Sequence, residues 1–247
     1  MPSDALRVVT WNVWFNHWQR ELRWHALWRE LTAQAPDVVC LQEVVPEHMA
    51  SRELRALRER GWWVSDERLR GYDVLLLTRR PVLASERVPL VSTMGRELLL
   101  VRLDTRPAIT IATVHLESTD RMTEFRCRQL ADIHAALAGV SEALLVGDMN
   151  FPAGERPEAR CLPDYADVWQ ALRPDEPGFT VDTEVNLMRS LITPGHKQAR
   201  IDRVFHRGPA WRPTSIERLG TRPLPDDPDD PYLFVSDHFG LRVDLTP

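Results

Sequence analysis

The feature that most constrains this chain is a recurring pattern in which a short apolar run of strand length stops abruptly at an amide, a carboxylate or an imidazole. Leu144-Leu145-Val146-Gly147-Asp148-Met149-Asn150-Phe151 shows it most clearly. Residues i and i+2 of an extended chain point to the same side. Asp148 and Asn150 therefore face one cleft, where a carboxylate can take a proton or hold a cation and an amide can orient an oxygen. Taken alone, Gly-Asp-x-Asn also suits an ordinary turn after a strand.

The same pattern recurs along the chain. Leu6 to Asn12 reads as a buried strand ending at Asn12, followed by the aromatic segment Val13 to Trp18. A helix to about Ala35 carries Trp24, Leu27, Trp28 and Leu31 on one face, and Pro36 ends it. Val38 to Leu41 is the next strand and leads into Gln42-Glu43. One Arg/Glu-laced helix is predicted from near His48 to Arg60, and Tyr72–Thr78 and Leu98–Leu103 are predicted to pair as strands. Ile109 to Val114 alternates as a β-branched strand that delivers His115-Leu116-Glu117-Ser118. A helix from about Asp120 to Gly139 carries Leu130, Ile133 and Leu137 inward. Beyond Phe151, where most of the prolines lie, long stiffened loops surround a short helix marked by Tyr165, Val168, Trp169 and Leu172. Strands are predicted at Arg200–Phe205, Tyr232–Val235 and Leu241–Leu245.

No linker or repeat divides the 247 residues, a length at which α/β chains are routinely one domain, so residues 1–247 are read as a single domain. Cys40, Cys127 and Cys161 are odd in number and lack CxxC spacing, which speaks against a disulfide framework or a thiolate zinc site. Met1-Pro2-Ser3-Asp4 has no basic-then-apolar leader, and no apolar run approaches membrane-spanning length; the expectation is a cytoplasmic protein with no membrane association. A net charge of −5 excludes a uniformly basic nucleic-acid coat but not an enzyme that grips a few phosphates. Lysine occurs once, at Lys197. The remaining positive charge is guanidinium, suited to phosphate, but genomic base composition is the simpler explanation.

The polar strand ends are Asn12, Glu43, His115 with Ser118, Asp148 with Asn150, Asp202, and Asp237-His238. Six ends rich in carboxylate, amide and imidazole, and free of cysteine, point to one shared cleft. Buried carboxylates need neutralisation, which a divalent cation supplies. Oxygen-rich ligation favours Mg²⁺, or Mn²⁺, over zinc. Imidazole and hydroxyl groups beside such an ion suit an anionic substrate, most simply a phosphate ester.

In this order Thr10-Trp11-Asn12, Leu41-Gln42-Glu43, His115-Leu116-Glu117-Ser118, Gly147-Asp148-Met149-Asn150 and Ser236-Asp237-His238 resemble the endonuclease/exonuclease/phosphatase superfamily over nearly the whole chain. Within it, His115-Leu116-Glu117-Ser118-Thr119, Asp167-Val168-Trp169, Phe179-Thr180-x-Asp182-Thr183 and Ser236-Asp237-His238-Phe239-Gly240-Leu241 resemble the 5′-tyrosyl-DNA phosphodiesterases. The resemblance implies a four-layer α/β sandwich of the DNase I type, two mixed β-sheets face to face with helices outside. It implies Glu43 as the main Mg²⁺ ligand, with Asn12 and Asp237 in or near its shell. It further implies Asp148 as the base that deprotonates water, Asn150 orienting that water, His115, Ser118 and His238 (with Asn150) holding phosphate oxygens, and Asp202 orienting His238. The implied activity is Mg²⁺-dependent hydrolysis of a phosphodiester at a nucleic-acid 5′ end, single-stranded, with a 5′-tyrosyl adduct as the model substrate. Nuclease activity, phosphatase activity on a small or lipid phosphate, and a non-enzymatic binding module are the alternatives. No protein partner is implied.

Three positions depart from the tyrosyl-DNA pattern. Pro152 stands where the family has a DNA-contacting arginine, and Val181 and Ile201 replace the two aromatics that wall the bound strand. Aliphatic residues can still form a wall, but without stacking worth ~1–3 kcal/mol per base. The loop Asp226-Asp227-Pro228-Asp229-Asp230 reads as a solvated loop, or as an overhang that repels long polyanions. Glu117 is expected to bind loop backbone, and Trp14, Phe15 and Trp18 either to line a groove or to pack on the first helix. Trp169 and Cys40 are expected in the core. Arg121, Arg126 and Arg203 are candidates for phosphate contacts, with surface salt bridges the simpler reading.

Overall fold

A computed structural model describes residues 5–66, 69, 71–224 and 232–247. The strands are β1 (Leu6–Asn12), β2 (Val38–Val44), β3 (Trp63–Val64), β4 (Asp73–Thr78), β5 (Val82–Pro89), β6 (Glu97–Leu103) and β7 (Ile109–His115). They continue with β8 (Ala143–Asp148), β9 (Ala166–Asp167), β10 (Val181–Asp182), β11 (Gln198–Ala199), β12 (Asp202–Arg207), β13 (Arg212–Leu219) and β14 (Gly240–Thr246). The helices are α1 (Arg20–Gln34), α2 (Pro46–Met49), α3 (Arg52–Glu59), α4 (Thr123–Ala136), α5 (Val168–Leu172) and α6 (Leu187–Ile192).

One six-stranded sheet has the order β13-β14-β1-β2-β4-β3, a second has β5-β6-β7-β8-β12-β9, and β10-β11 form a small ribbon. Each large sheet is mixed. β1/β2 and β7/β8 run parallel, each pair joined by a crossover helix (α1 and α4), and the other neighbours are antiparallel.

The two-residue period sorts each strand between two cores. Val8, Val38, Cys40, Val74 and Leu76 of the first sheet meet Leu99, Val101, Ile111, Leu144 and Val146 of the second. The intervening residues Val9, Leu41, Leu75 and Leu77 face Trp24, Leu27 and Leu31 of α1. On the far side, Ala112, Val114 and Leu145 face Leu130, Ile133 and Leu137. The result is the expected four-layer sandwich. No described helix is long and apolar enough to cross a membrane.

Several local expectations are corrected. Tyr72–Thr78 and Leu98–Leu103 do not pair: β4 lies beside β2 and β6 between β5 and β7. The helix predicted over 48–60 breaks into α2 and α3, where Ser51 accepts the Leu54 N–H at 3.3 Å and starts a new helix. Residues 232–235 form no strand. Leu233, Phe234 and Val235 pack as a loop into the α1 side of the core. Asp202 opens β12 rather than ending a strand, and Asp237-His238 precede β14. β5 and β13, an edge strand each, are half polar and carried no apolar run.

Two expectations follow. At Gly147 (φ 139°) a Cβ would lie 2.0 Å from the Val114 carbonyl oxygen, forcing β7 from β8 one residue before His115 and Asp148. Gly147→Ala should cost ~1–3 kcal/mol in urea unfolding; an unchanged midpoint would show that the two strands do not need this close approach. His48 stacks on Trp24 with centroids 4.1 Å apart, and burial, with Arg20 and Arg23 nearby, lowers its pKa to about 3 from 6.5. The unfolded chain thus binds a proton that the folded one refuses, so stability falls as pH drops from about 6.5 toward 3. In His48→Phe that loss should be shallower; identical slopes in denaturant titrations would remove His48 from the acid response.

Candidate active site

The polar residues continue the inner faces of the two sheets. Along β1 the period runs Val8, Thr10, Asn12; along β7 Ile111, Thr113, His115; along β8 Leu144, Val146, Asp148. Where the apolar layer ends, Gln42 Nε2 donates to Thr10 Oγ1 (3.1 Å) and across the sheets to Thr113 Oγ1 (3.2 Å). One step further, Asn12 Nδ2 donates to Asp148 Oδ2 (3.0 Å) and Glu43 Oε1 (3.1 Å). Strand register sets the rest: His115 pairs with Asp148 across β7/β8, and Asp202 with Asp148 across β8/β12. Three side chains far apart in sequence thus stand in one row.

Glu43 would point out of this row in a regular strand, because Gln42 points in. A bulge between Leu41 and Val44, with Glu43 at φ 62°, turns its carboxylate into the cleft, where Oε2 accepts the Phe15 N–H at 3.0 Å. Trp14 (56°), Thr119 (77°) and Asn150 (54°) also hold left-handed backbone around the site. Such strain collects where side chains must be aimed. The segment 236–238 is stitched in place by side-chain bonds to its neighbours. Ser236 Oγ donates to Asn12 O (2.6 Å), Trp11 Nε1 to His238 O (2.9 Å) and Asn186 Nδ2 to Ser236 O (2.8 Å).

The two histidines carry different charge. Burial alone would lower His238, but Asp202, Asp237 and Asp148 outweigh it and raise its pKa to about 10, with Nδ1 2.8 Å from Asp202 Oδ2. Burial, reinforced by Arg96 and His238, holds His115 far below its ordinary value. Arg96 can only donate, so its Nη1 at 3.1 Å makes His115 Nδ1 the acceptor. With Nδ1 accepting, the proton belongs on Nε2, which lies 3.4 Å from both Asp148 Oδ2 and Arg96 Nη2. Burial and Asp202 push Asp148 above the usual carboxylate range, while Asn150 N–H (2.9 Å to Oδ1) and Asn12 support its charged form. Asn150 Nδ2 donates to Leu116 O (3.0 Å) and Ser118 Oγ (3.3 Å).

Glu43, His115, Ser118, Asp148, Asn150, Ile201, Asp237 and His238 all line one cleft of about 250 Å³, together with Phe15, Arg189 and Lys197. A cavity of about 660 Å³, with Pro152, Phe179 and Ile201 on its walls, adjoins it through Asn150 and Lys197. The donor set fits a hard divalent cation at Glu43. Burial first, then Asp237, pushes this carboxyl up to about 7, the condition that a bound cation relieves. Asn12 fits less well as a ligand. Its oxygen is taken by the Trp14 N–H (2.9 Å), so it turns its amide nitrogen to the carboxylates and bridges Glu43 to Asp148. Asp148, Asp202 and His238 also bring ligand atoms within 4.8 Å of one another, but there a protonated His238 already stands between the carboxylates as a cation.

Other expectations divide. Val181 is fully buried with Ala199 and Ile201, so Ile201 and Phe179 form the wall and Val181 backs it. Arg126 and Arg203 are buried, not surface, ion pairs, with Glu158 and Asp167 respectively. Glu117 accepts the Thr93 N–H (2.8 Å) and Ser92 Oγ (2.6 Å), fixing a loop as expected. Trp14 is largely buried beneath Arg23, whose guanidinium lies 4.7 Å from the ring, yet lines the cleft with Phe15, which is 44% exposed and stacks on Tyr72. Cys40 and Trp169 are core residues. Residues 226–230 lie outside the described residues. Sequence reading missed Arg96 and Arg189, which come from a loop and a one-and-a-half-turn helix with no periodic signal. It also gave Lys197, though singular, no place in the site.

The sequence profile of the Endonuclease/Exonuclease/phosphatase family matches residues 9–238. Tyrosyl-DNA phosphodiesterase 2 of Mus musculus is 29% identical over 98% of this chain and 66% of its own length. The Xenopus tropicalis protein of that name is 30% identical over 87% of this chain and 59% of its own length. The chain thus spans roughly three-fifths to two-thirds of these relatives, 59% and 66%. The crystal structure of D. rerio TDP2 complexed with single strand DNA product superposes with a TM-score of 0.83 at 23% identity, covering 98% of this chain and 99% of that one. The human Nocturnin catalytic domain with bound sulfate anion gives 0.74 at 18% identity, covering 98% and 93%. These superpositions share the two mixed sheets and their outer helices, and the profile spans the segments that build the cleft: the chain belongs to the endonuclease/exonuclease/phosphatase family.

Proposed function

We propose that the chain is a divalent-metal-dependent phosphodiesterase, with Mg²⁺ as its ion, that hydrolyses a phosphodiester at the 5′ end of a nucleic-acid strand. The observation that carries this reading is the position of Asp148. It is buried, charged through its bonds to Asn12 and the Asn150 N–H, and set between His115 and His238 in the cleft that also holds Glu43 and Asp237. A phosphodiester is anionic and repels nucleophiles, so its hydrolysis depends on charge neutralisation and in-line positioning. A divalent cation held by Glu43, with Asp237 beside it, supplies that neutralisation when bound.

The chain's own residues do the rest. Asp148 accepts the proton of the attacking water, and Asn150, fixed by Leu116 O and Ser118 Oγ, orients it. His238, held protonated by Asp202, and the Arg96–Ser118 pair (2.9 Å) offer donors to non-bridging phosphate oxygens. His115 turns its Nε2–H to the same space.

The relatives' name, and the single-strand DNA product in the D. rerio structure, support a 5′-tyrosyl single strand as substrate. A second reading, a phosphatase or phosphodiesterase for smaller phosphates, draws on Pro152, the buried Val181 and the aliphatic Ile201, which put non-stacking side chains beside Phe179. Side-by-side assays of 5′-tyrosyl-DNA, abasic duplex, plain single strands and inositol phosphates separate the two. The tyrosyl strand should be cleaved with Mg²⁺ and left whole with EDTA; inertness toward every phosphoester with Mg²⁺ or Mn²⁺ would leave a binding module. Asp148→Asn should lower turnover by ~10²–10⁴-fold with the circular dichroism spectrum kept, and wild-type-like turnover would take Asp148 out of the mechanism.

A further inference from the structure

The charges in the cleft form two sets. Asp148 and Asp202 share one cation, the protonated His238. On the other side, Glu43 and Asp237 repel each other; Arg23, its guanidinium engaged by the carbonyls of Val13, Trp14, Asn16 and Trp18, stands within electrostatic reach of both, and Arg189 Nη1 is ion-paired directly to Asp237 Oδ2. The pair is largely out of water, with side-chain exposures of 16% and 4%. A divalent cation at Glu43 would meet this guanidinium as a like charge at short range. We propose that Arg189 is a built-in counter-cation for Asp237: it competes with the divalent ion for that carboxylate and, once displaced, gives its guanidinium to a non-bridging oxygen of the substrate phosphate.

Three observations support this assignment beyond an ordinary structural ion pair. The Arg189 Nε is buried without a partner among the described residues, so the pair leaves donor capacity unspent at the cleft. The backbone that carries it is fixed. Met188 is fully buried in the core, while Asn186 accepts the Arg189 N–H (3.1 Å) and donates to Ser236 O (2.8 Å). Movement is thereby confined to the side chain, which already lines the same cleft as His115, Ser118 and His238, the proposed phosphate contacts. A guanidinium released there keeps the bidentate fork that suits a phosphate.

The inference rests on the metal-dependent reading above, and its test separates the two. Mn²⁺ binding to the metal-free protein is measured by isothermal titration calorimetry for wild type, Arg189→Gln, Arg189→Met and Arg189→Lys, each checked for folding by circular dichroism. Removing the like charge should tighten Mn²⁺ in the Gln and Met variants by at least ~5-fold, with Lys near wild type. Inorganic phosphate, titrated in saturating Mn²⁺, should bind the same two variants at least ~5-fold more weakly. A purely structural pair gives a different pattern, because its loss would weaken both ions instead of tightening Mn²⁺ while weakening phosphate. Equal or weaker Mn²⁺ binding by both variants would overturn the proposal alone, as would unchanged phosphate affinity. No saturable Mn²⁺ binding by wild type would overturn the metal reading, and the proposal with it.

Discussion

One hydrogen bond, from the Asn12 amide in the first sheet to the Asp148 carboxylate in the second, joins the two halves of the sandwich where their shared core turns polar. It spans 3.0 Å between residues 136 apart in sequence. Its length is set by everything behind it: the facing apolar layers, the Gln42 bonds to Thr10 and Thr113, and the parallel registers that place Asn12 and Asp148 at the same end of the molecule. A slip of one residue in either sheet would turn the polar ends to the outer faces. Site and core are therefore one construction, and Gly147 is its closest tolerance, because β8 must touch the Val114 carbonyl just before Asp148.

Burial gives the cleft its chemistry. Four carboxylates are withdrawn from water there, and burial with a neighbouring carboxylate raises Glu43 and Asp148 above the ordinary range. His238 answers Asp202 and Asp148, and Arg189 answers Asp237. Glu43, elevated to about 7, has no direct ion pair among the described residues, only the neutral Asn12 amide and Phe15 N–H as hydrogen-bond donors, and is the natural seat for an external cation. The neutral His115, fixed by Arg96, keeps one donor pointing at Asp148 without adding charge.

Much of this was legible in the sequence, and the reason is geometric. Asn12, His115 and Asp148 end apolar runs in strict two-residue phase, so the period that buries Val8, Ile111 and Val146 also aims them. Glu43 was legible as a residue but not in direction, since a bulge with positive φ, invisible in composition, turns it. Arg96, Arg189 and Lys197 come from segments whose position is dictated by tertiary contacts such as Asn186 to Ser236, and no local period marks them. The strands β5 and β13 escaped notice because edges need only one apolar face. Arg126 and Arg203 were read as surface groups because a buried arginine is intelligible only with its partner, Glu158 or Asp167, in view. The Asp167-Val168-Trp169 motif proves to be part of that structural pairing rather than of the cleft.

The coupling between the sheets is tested most directly by a double-mutant cycle of Asn12→Ala and Asp148→Asn, read as kcat/KM on a nucleoside 5′-aryl phosphodiester. If the Asn12 bond acts through Asp148, the double variant should be little worse than Asp148→Asn alone, as residues acting as a unit are strongly non-additive. Losses that simply multiply would mean that the two residues act independently, and that the cross-sheet bond does not organise the site.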